Sequence, residues 1–201
     1  MNKIGTTLLG FSLLLSGCGG SGGSNVDNTK GEEQEASNIP YLKSNHTNYT
    51  QLNNSKTLAP QKNNTALTIQ WVISSKTETD AIKLYDHINF MVMKLKEGEN
   101  PRGWDKLFLL EAYMKTAYRY STSLSIEGTT NVLVTKTATD RCAYEVISAH
   151  SDVVKGDFFG KGVINIDYSS IAEDIINSSY CSSSKTDLEA YVKTRQETKK
   201  H

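Results

Sequence analysis

The segment Ser121–Thr137 reads S-T-S-L-S-I-E-G-T-T-N-V-L-V-T-K-T, and its conformation decides the fold. Its threonine and valine content favours extended chain, and Gly128 sits between two such runs. The segment therefore predicts a hairpin: a strand from Ser121 to Ile126, a turn at Glu127-Gly128-Thr129-Thr130, and a second strand from Asn131 to Thr137. Everything immediately before it reads as helix.

Working back from the hairpin, Leu107, Leu110, Met114, Ala117 and Tyr118 form a helical stripe. That helix is expected to start near Asp105, with Trp104 placed to pack as a staple on Leu109. An earlier helix carries Ala81, Leu84, Tyr85, Ile88, Met91, Val92 and Leu95 at helical spacing. Thr77-x-x-Asp80 resembles a capping box at its start, Gly98 ends it, and Pro101 lies beyond. Two adjacent amphipathic helices with a short connection point to an antiparallel pair. Before them, Leu67, Ile69, Trp71 and Ile73 alternate with Thr68 and Gln70, the period of a half-buried strand.

Working forward, Asp140 to His150 fits two patterns. Ala143, Val146, Ile147 and His150 share a helical face, whereas Cys142, Tyr144 and Val146 fit alternation; helix is favoured. Gly160-Lys161-Gly162 reads as a tight turn before a strand at Val163–Ile166. Ser170-x-x-Glu173 opens a short helix with Ile171, Ile175 and Ile176 on one side, ending by Cys181. Thr186-x-x-Glu189 opens a last helix striped by Leu188, Tyr191 and Val192. Strands and helices interleave without repeated βαβ crossovers, so the class is α+β: one small domain over residues 66–192 with an antiparallel sheet and a basic tail at 193–201. No internal repeat is visible.

The amino-terminal third is different. Ile4 to Leu15 is an apolar run of about 12 residues, which as a helix would reach about 18 Å against a hydrocarbon core of roughly 30 Å. Lys3 precedes it and Ser16-Gly17 follows, the plan of a cleaved secretory signal over residues 1–17. Leu15-Ser16-Gly17-Cys18 resembles the lipobox of bacterial lipoproteins. That resemblance implies cleavage before Cys18, a diacylglyceryl group on its sulfur and acylation of the new amino terminus. Several acyl chains on one residue make a firm anchor, because each buried methylene contributes about 0.8 kcal/mol and a single chain binds only reversibly. It further implies, with Gly19 after the cysteine, an outer-membrane destination. Cys142 and Cys181 are then left in an oxidising compartment, where a disulfide is the default and two separate buried thiols the alternative.

Residues 19–65 begin G-G-S-G-G-S-N and continue polar. They are expected to be a disordered tether, since so few apolar residues cannot offset the entropy of ordering. Three Asn-x-Thr triplets at Asn45, Asn48 and Asn63 match the glycosylation pattern; under the lipobox reading they are accidents of composition.

Signals for chemistry are sparse. The chain has 22 basic and 22 acidic residues, so its charge gives no reason to expect nucleic acid as a partner. No Gly-x-Ser-x-Gly elbow or His-Glu-x-x-His helix occurs, and Gly156–Gly162 lacks the spacing and hydroxyl of a phosphate loop. No cofactor and no metal site is expected, because two isolated cysteines lack the close-spaced ligand pairs of zinc sites. His87 and His150 are expected in structural or solvated roles, His150 near a helix C-terminus. Tyr113, Tyr118 and Tyr120 are candidates for a recognition surface, and Phe158 and Phe159 for a hydrophobic flap or core. The leading expectation is a lipid-anchored, non-enzymatic module of the envelope, binding an envelope protein, an envelope polymer or an external ligand. A small envelope hydrolase using His150 and an assembly factor of a surface apparatus are the alternatives.

Overall fold

The computed structural model describes residues 60–99, 102–159 and 166–198, without the side chain of Phe159. The signal, the lipobox and the tether as far as residue 59 lie outside the described residues, as do residues 160–165 and hence most of the strand expected at Val163–Ile166; Ile166 itself has no regular structure.

The hairpin forms as expected. Strands β3 (Tyr120–Glu127) and β4 (Asn131–Ala138) pair antiparallel, with Ser123 opposite Thr135 and Gly128 at φ +62° in the turn. Strand β2 (Thr68–Ser74) joins the other side of β4, with Trp71 opposite Val134. Beyond it lies a short strand that hydrophobic patterning missed, β1 (Gln61–Asn63), so ordered chain extends into the stretch whose composition reads as tether. Asn63 makes this possible: its Oδ1 accepts from the backbone N–H groups of Thr65 and Ala66 and folds the turn into β2. The sheet order is β1-β2-β4-β3, antiparallel throughout.

One face of the sheet is inward. Ile69, Trp71, Ile73, Val132, Val134, Lys136 and Ala138 alternate into the core, while Gln70, Ser121, Ser123, Ser125 and Thr137 stay exposed on the other face. Five helices complete the α+β domain among the described residues. Helix α1 (Glu78–Lys96) begins with Thr77 Oγ1 accepting from Asp80 N and ends in a Schellman motif, Gly98 N to Leu95 O and Glu99 N to Lys94 O, with Gly98 at φ +79°. Helix α2 (Lys106–Thr116) starts where the sequence predicts, and Asp105 caps it. It is buried far beyond one stripe: Leu107 through Ala112, Met114 and Lys115 are all inside, because α2 contacts all four other helices. Ala117 and Tyr118, expected on its stripe, lie exposed past its end, and Trp104 is exposed with the Arg102 guanidinium 4.6 Å from its ring centre.

The ambiguous stretch is helix α3 (Arg141–Val153), capped by Asp140 accepting from Ala143 N. The expected turn at Gly160-Lys161-Gly162 lies outside the described residues; ahead of it Val154–Phe159 wind on from α3 as a π-helical turn that brings Phe158 against Phe108. Helix α4 (Ser169–Asn177) starts one residue before the expected Ser170 and buries Ala172, Ile175 and Ile176, while Ile171 faces out. A 3-10 turn (Ser179–Ser184) carries Cys181 into helix α5 (Lys185–Thr198), which extends through the first part of the expected basic tail. The expected disulfide is present: Cys142 in α3 and Cys181 are bonded and wholly enclosed. No described helix is long and apolar enough to cross a membrane.

Candidate functional site

Alternation along β4 sends Lys136 inward at the position after Val132 and Val134. A buried ammonium requires a partner, since unpaired charge inside a protein is strongly disfavoured. The partner comes from the middle of α2. Lys136 Nζ donates to Glu111 Oε1, and the Tyr120 hydroxyl donates to the same oxygen at 3.1 Å. From the last turn of α3, His150 Nε2 lies 2.8 Å from Glu111 Oε2, a close approach that is off the line of a hydrogen bond. His150 Nδ1 faces Lys136 Nζ at 3.3 Å. These partners assign the neutral ring with its proton on Nε2, so that Nδ1 accepts from the ammonium.

A second lysine shares this space. Lys115 stands one turn after Glu111 on the same side of α2, donates to Thr122 Oγ1 at 3.1 Å, and places its nitrogen 4.6 Å from the Tyr120 ring centre. Lys136 is 5.5 Å from the same ring and 5.5 Å from that of Trp71.

The environment perturbs each group. Burial alone would raise the Glu111 carboxyl, but His150 and Lys136 outweigh it and hold Glu111 far below the usual carboxylate range. Burial lowers His150, with the Lys136 charge acting in the same sense against the Glu111 carboxylate, so the ring is neutral at pH 7. Burial and then the Lys136 charge bring Lys115 down to about 8. Burial and the Glu111 carboxylate push the Tyr120 hydroxyl well up.

Phe108 separates this cluster from a second buried ion pair. Its ring meets His150 edge-on at 4.7 Å and Phe158 in a stack at 5.9 Å. On the far side Arg102 Nη2 donates to Asp105 Oδ2 at 3.0 Å and to the Ile166 carbonyl, with the rings of Trp104, Phe108, Phe158 and Tyr168 all within 5.5 Å of the guanidinium carbon. Asp105 Oδ1 meanwhile caps α2 through Leu107 N at 2.9 Å, so one carboxylate holds both the helix start and the arginine.

The three candidate tyrosines do not share a surface. Tyr113 is half-buried against Tyr191 at 5.2 Å; Tyr118 is 76% exposed; Tyr120 points inward at 4% exposed and belongs to the charge cluster, which corrects its assignment to a recognition surface. Phe158 is half-buried and packs on the core, and the Phe159 side chain lies outside the described residues. Burial lowers His87, half-buried on α1, to about 4. Cys18, His46 and His201 lie outside the described residues. Among the described residues no three His, Cys, Asp or Glu side chains converge as metal ligands. A groove of about 390 Å³ runs elsewhere, between α4 and α5, with Ile176 and Val192 among its walls and Lys106, Glu173, Glu189 and Lys193 around them.

Glu111, Lys115 and Lys136 are the residues sequence reasoning passed over, and Tyr120 was singled out for a different role. The available signal was a lysine within a predicted β-run and a glutamate within an otherwise apolar helical stretch, each of which asks for a buried partner. The chain matches no known protein-family model, no curated protein and no solved structure.

Proposed function

We propose that this chain is a lipid-anchored protein of the bacterial envelope, attached through Cys18, whose α+β domain is a non-enzymatic module that binds an envelope protein, an envelope polymer or an external ligand. The observation that carries the reading is the enclosed Cys142–Cys181 bond, a pairing suited to an oxidising compartment beyond the inner membrane. It agrees with the secretory plan of residues 1–17 and with the lipobox-like Leu15-Ser16-Gly17-Cys18. An anchor of this kind retains a domain at a membrane face without any spanning helix.

The test is expression of the full chain in bacterial cells fed radiolabelled palmitate, beside Cys18→Ser. Label on the wild type, its loss in the variant, and release of the variant from the membrane fraction are expected. An unlabelled wild type, or equal label on both, overturns the anchor. A photo-crosslinking residue at Tyr118, the most exposed aromatic described, then tests binding: a discrete adduct in intact envelopes is expected, and no adduct there or at Trp104 or Tyr180 counts against a protein partner.

A further inference from the structure

Two lysines and one carboxylate meet around Tyr120, and the charges do not balance. Glu111 already serves Lys136, Tyr120 and His150. The hydrogen-bond partner of Lys115 is the uncharged hydroxyl of Thr122. A protonated Lys115 would add a second ammonium against the same ring that Lys136 faces, in a space from which Lys115 is only 8% exposed. The Glu111 carboxylate opposes the Lys136 charge at Lys115, and Lys96, at the end of α1, adds further positive field. A lysine that is both desolvated and beside another cation is the arrangement that makes an amine nucleophilic.

We propose that Lys115 is a nucleophilic amine, a covalent site for small aldehydes and ketones, with Lys136 as the positioning charge beside it. The reaction is condensation. The Lys115 nitrogen lone pair attacks the carbonyl carbon, the C–N bond forms, and the carbonyl oxygen takes up a proton to give a carbinolamine. The nitrogen lone pair then forms the C=N bond as water leaves, carrying the carbonyl oxygen and the two amine protons. No oxidant or reductant enters.

The charge arithmetic sets the expected size of the effect. With its pKa lowered to about 8, roughly a fifth of Lys115 is free amine at about pH 7.4, against about one in a thousand for an ordinary lysine. Size sets the class of electrophile. Lys115 is only 8% exposed, and Thr122, which holds the amine, is half-buried on the outermost strand β3, so a compact carbonyl compound meeting the edge of the sheet is the class proposed.

The test uses the full chain with acetaldehyde as probe and sodium cyanoborohydride to trap the imine, followed by peptide mass mapping. Lys115 should N-ethylate on the order of tenfold or more faster than the exposed Lys76 and Lys83 at about pH 7, with a rate midpoint near 8. Lys115→Arg should remove the fast site and leave the others unchanged. The proposal is overturned if Lys115 reacts no faster than Lys76, or if it reacts only after denaturation. Both readings come from the wild-type protein, so a variant that misfolds does not protect the proposal.

Discussion

Lys136→Met removes the ammonium that faces both Glu111 and His150. Taking one partner from a buried ion pair costs about 3–5 kcal/mol, because the remaining charge is left uncompensated. In a domain of this size the melting temperature should fall by roughly 10–20 °C. The cost should also depend on pH, and in a direction the geometry fixes. In the wild type His150 is depressed by burial and by Lys136, so in acid the folded state binds fewer protons than the unfolded chain. Its stability contribution is therefore lost as pH falls below about 6.5. In the variant the Glu111 carboxylate, 2.8 Å away, faces the imidazole without the Lys136 charge that opposed its protonation. The ring then takes the proton that restores local neutrality, and its folded value rises above the unfolded one. A raised histidine stabilises fully below the unfolded value and loses that stability as pH rises through the folded value. The deficit of Lys136→Met should thus be largest near about pH 8.5 and shrink toward about pH 5.5, by about 1.4 kcal/mol for each unit that the ring rises. Urea unfolding followed by circular dichroism, wild type and variant in parallel at the two pH values, measures the difference. Equal deficits at both, or a larger one in acid, would refute the assigned protonation states.

Three shorter expectations follow from the same structure. Tyr118 occupies the left-handed position that ends α2, at φ +55°, with Arg119 N bonded to Met114 O; Tyr118→Gly should stabilise the domain by about 1 kcal/mol in thermal melts, and a loss of stability would mean that its ring is held by contacts. Replacing Cys142 and Cys181 together by serine opens a loop with a sequence separation of 39; the loop-entropy model puts the cost at about 4 kcal/mol, and a loss under about 1 kcal/mol on chemical unfolding would show that the unfolded chain is already compact there. Gly98→Ala puts a Cβ 2.9 Å from Arg195 Nη2, a flexible end that can move aside, so the cost should come from φ +79° at about 1 kcal/mol; a loss several times larger in the same melts would show that Arg195 cannot yield.

Much of the fold was legible because its signals are local. Thr77 and Asp105 announce their helices through bonds that span two or three residues, and Gly98 ends α1 through a backbone conformation that glycine adopts without strain. The hairpin at Gly128 is local in the same sense. Strand β1 was not legible, because Gln61-Lys62-Asn63 carries no hydrophobic period; it is a strand because Asn63 folds the chain back onto β2, and Lys62 is held by Asp152 from α3 at 2.5 Å. The width of burial on α2 escaped for a related reason. A stripe can be read from spacing, but a helix surrounded by four others presents Phe108 and Glu111 to partners that lie far along the chain.

The same reasoning explains why the charge cluster went unread while the disulfide did not. Two cysteines remain for the domain once the lipobox reading sets Cys18 apart, so counting made their disulfide the default, and the structure has it. The cluster has no such count: the chain carries 22 acidic and 22 basic side chains, and residue type alone does not distinguish Glu111, Lys115 and Lys136 from those in water. What distinguishes them is register. Lys136 shares the inward face of β4 with Val132 and Val134, and Glu111 lies between Leu110 and Ala112 in a segment with no polar side to turn outward. Both residues therefore go inside, and once there each needs an opposite charge at contact distance. Glu111 supplies one negative charge where Lys136 and Lys115 supply two positive ones, and His150 can relieve the excess only by remaining neutral. The remaining imbalance falls on Lys115, the member held by a hydroxyl rather than a carboxylate. Its lowered proton affinity is thus a consequence of how α2 and β4 are packed together.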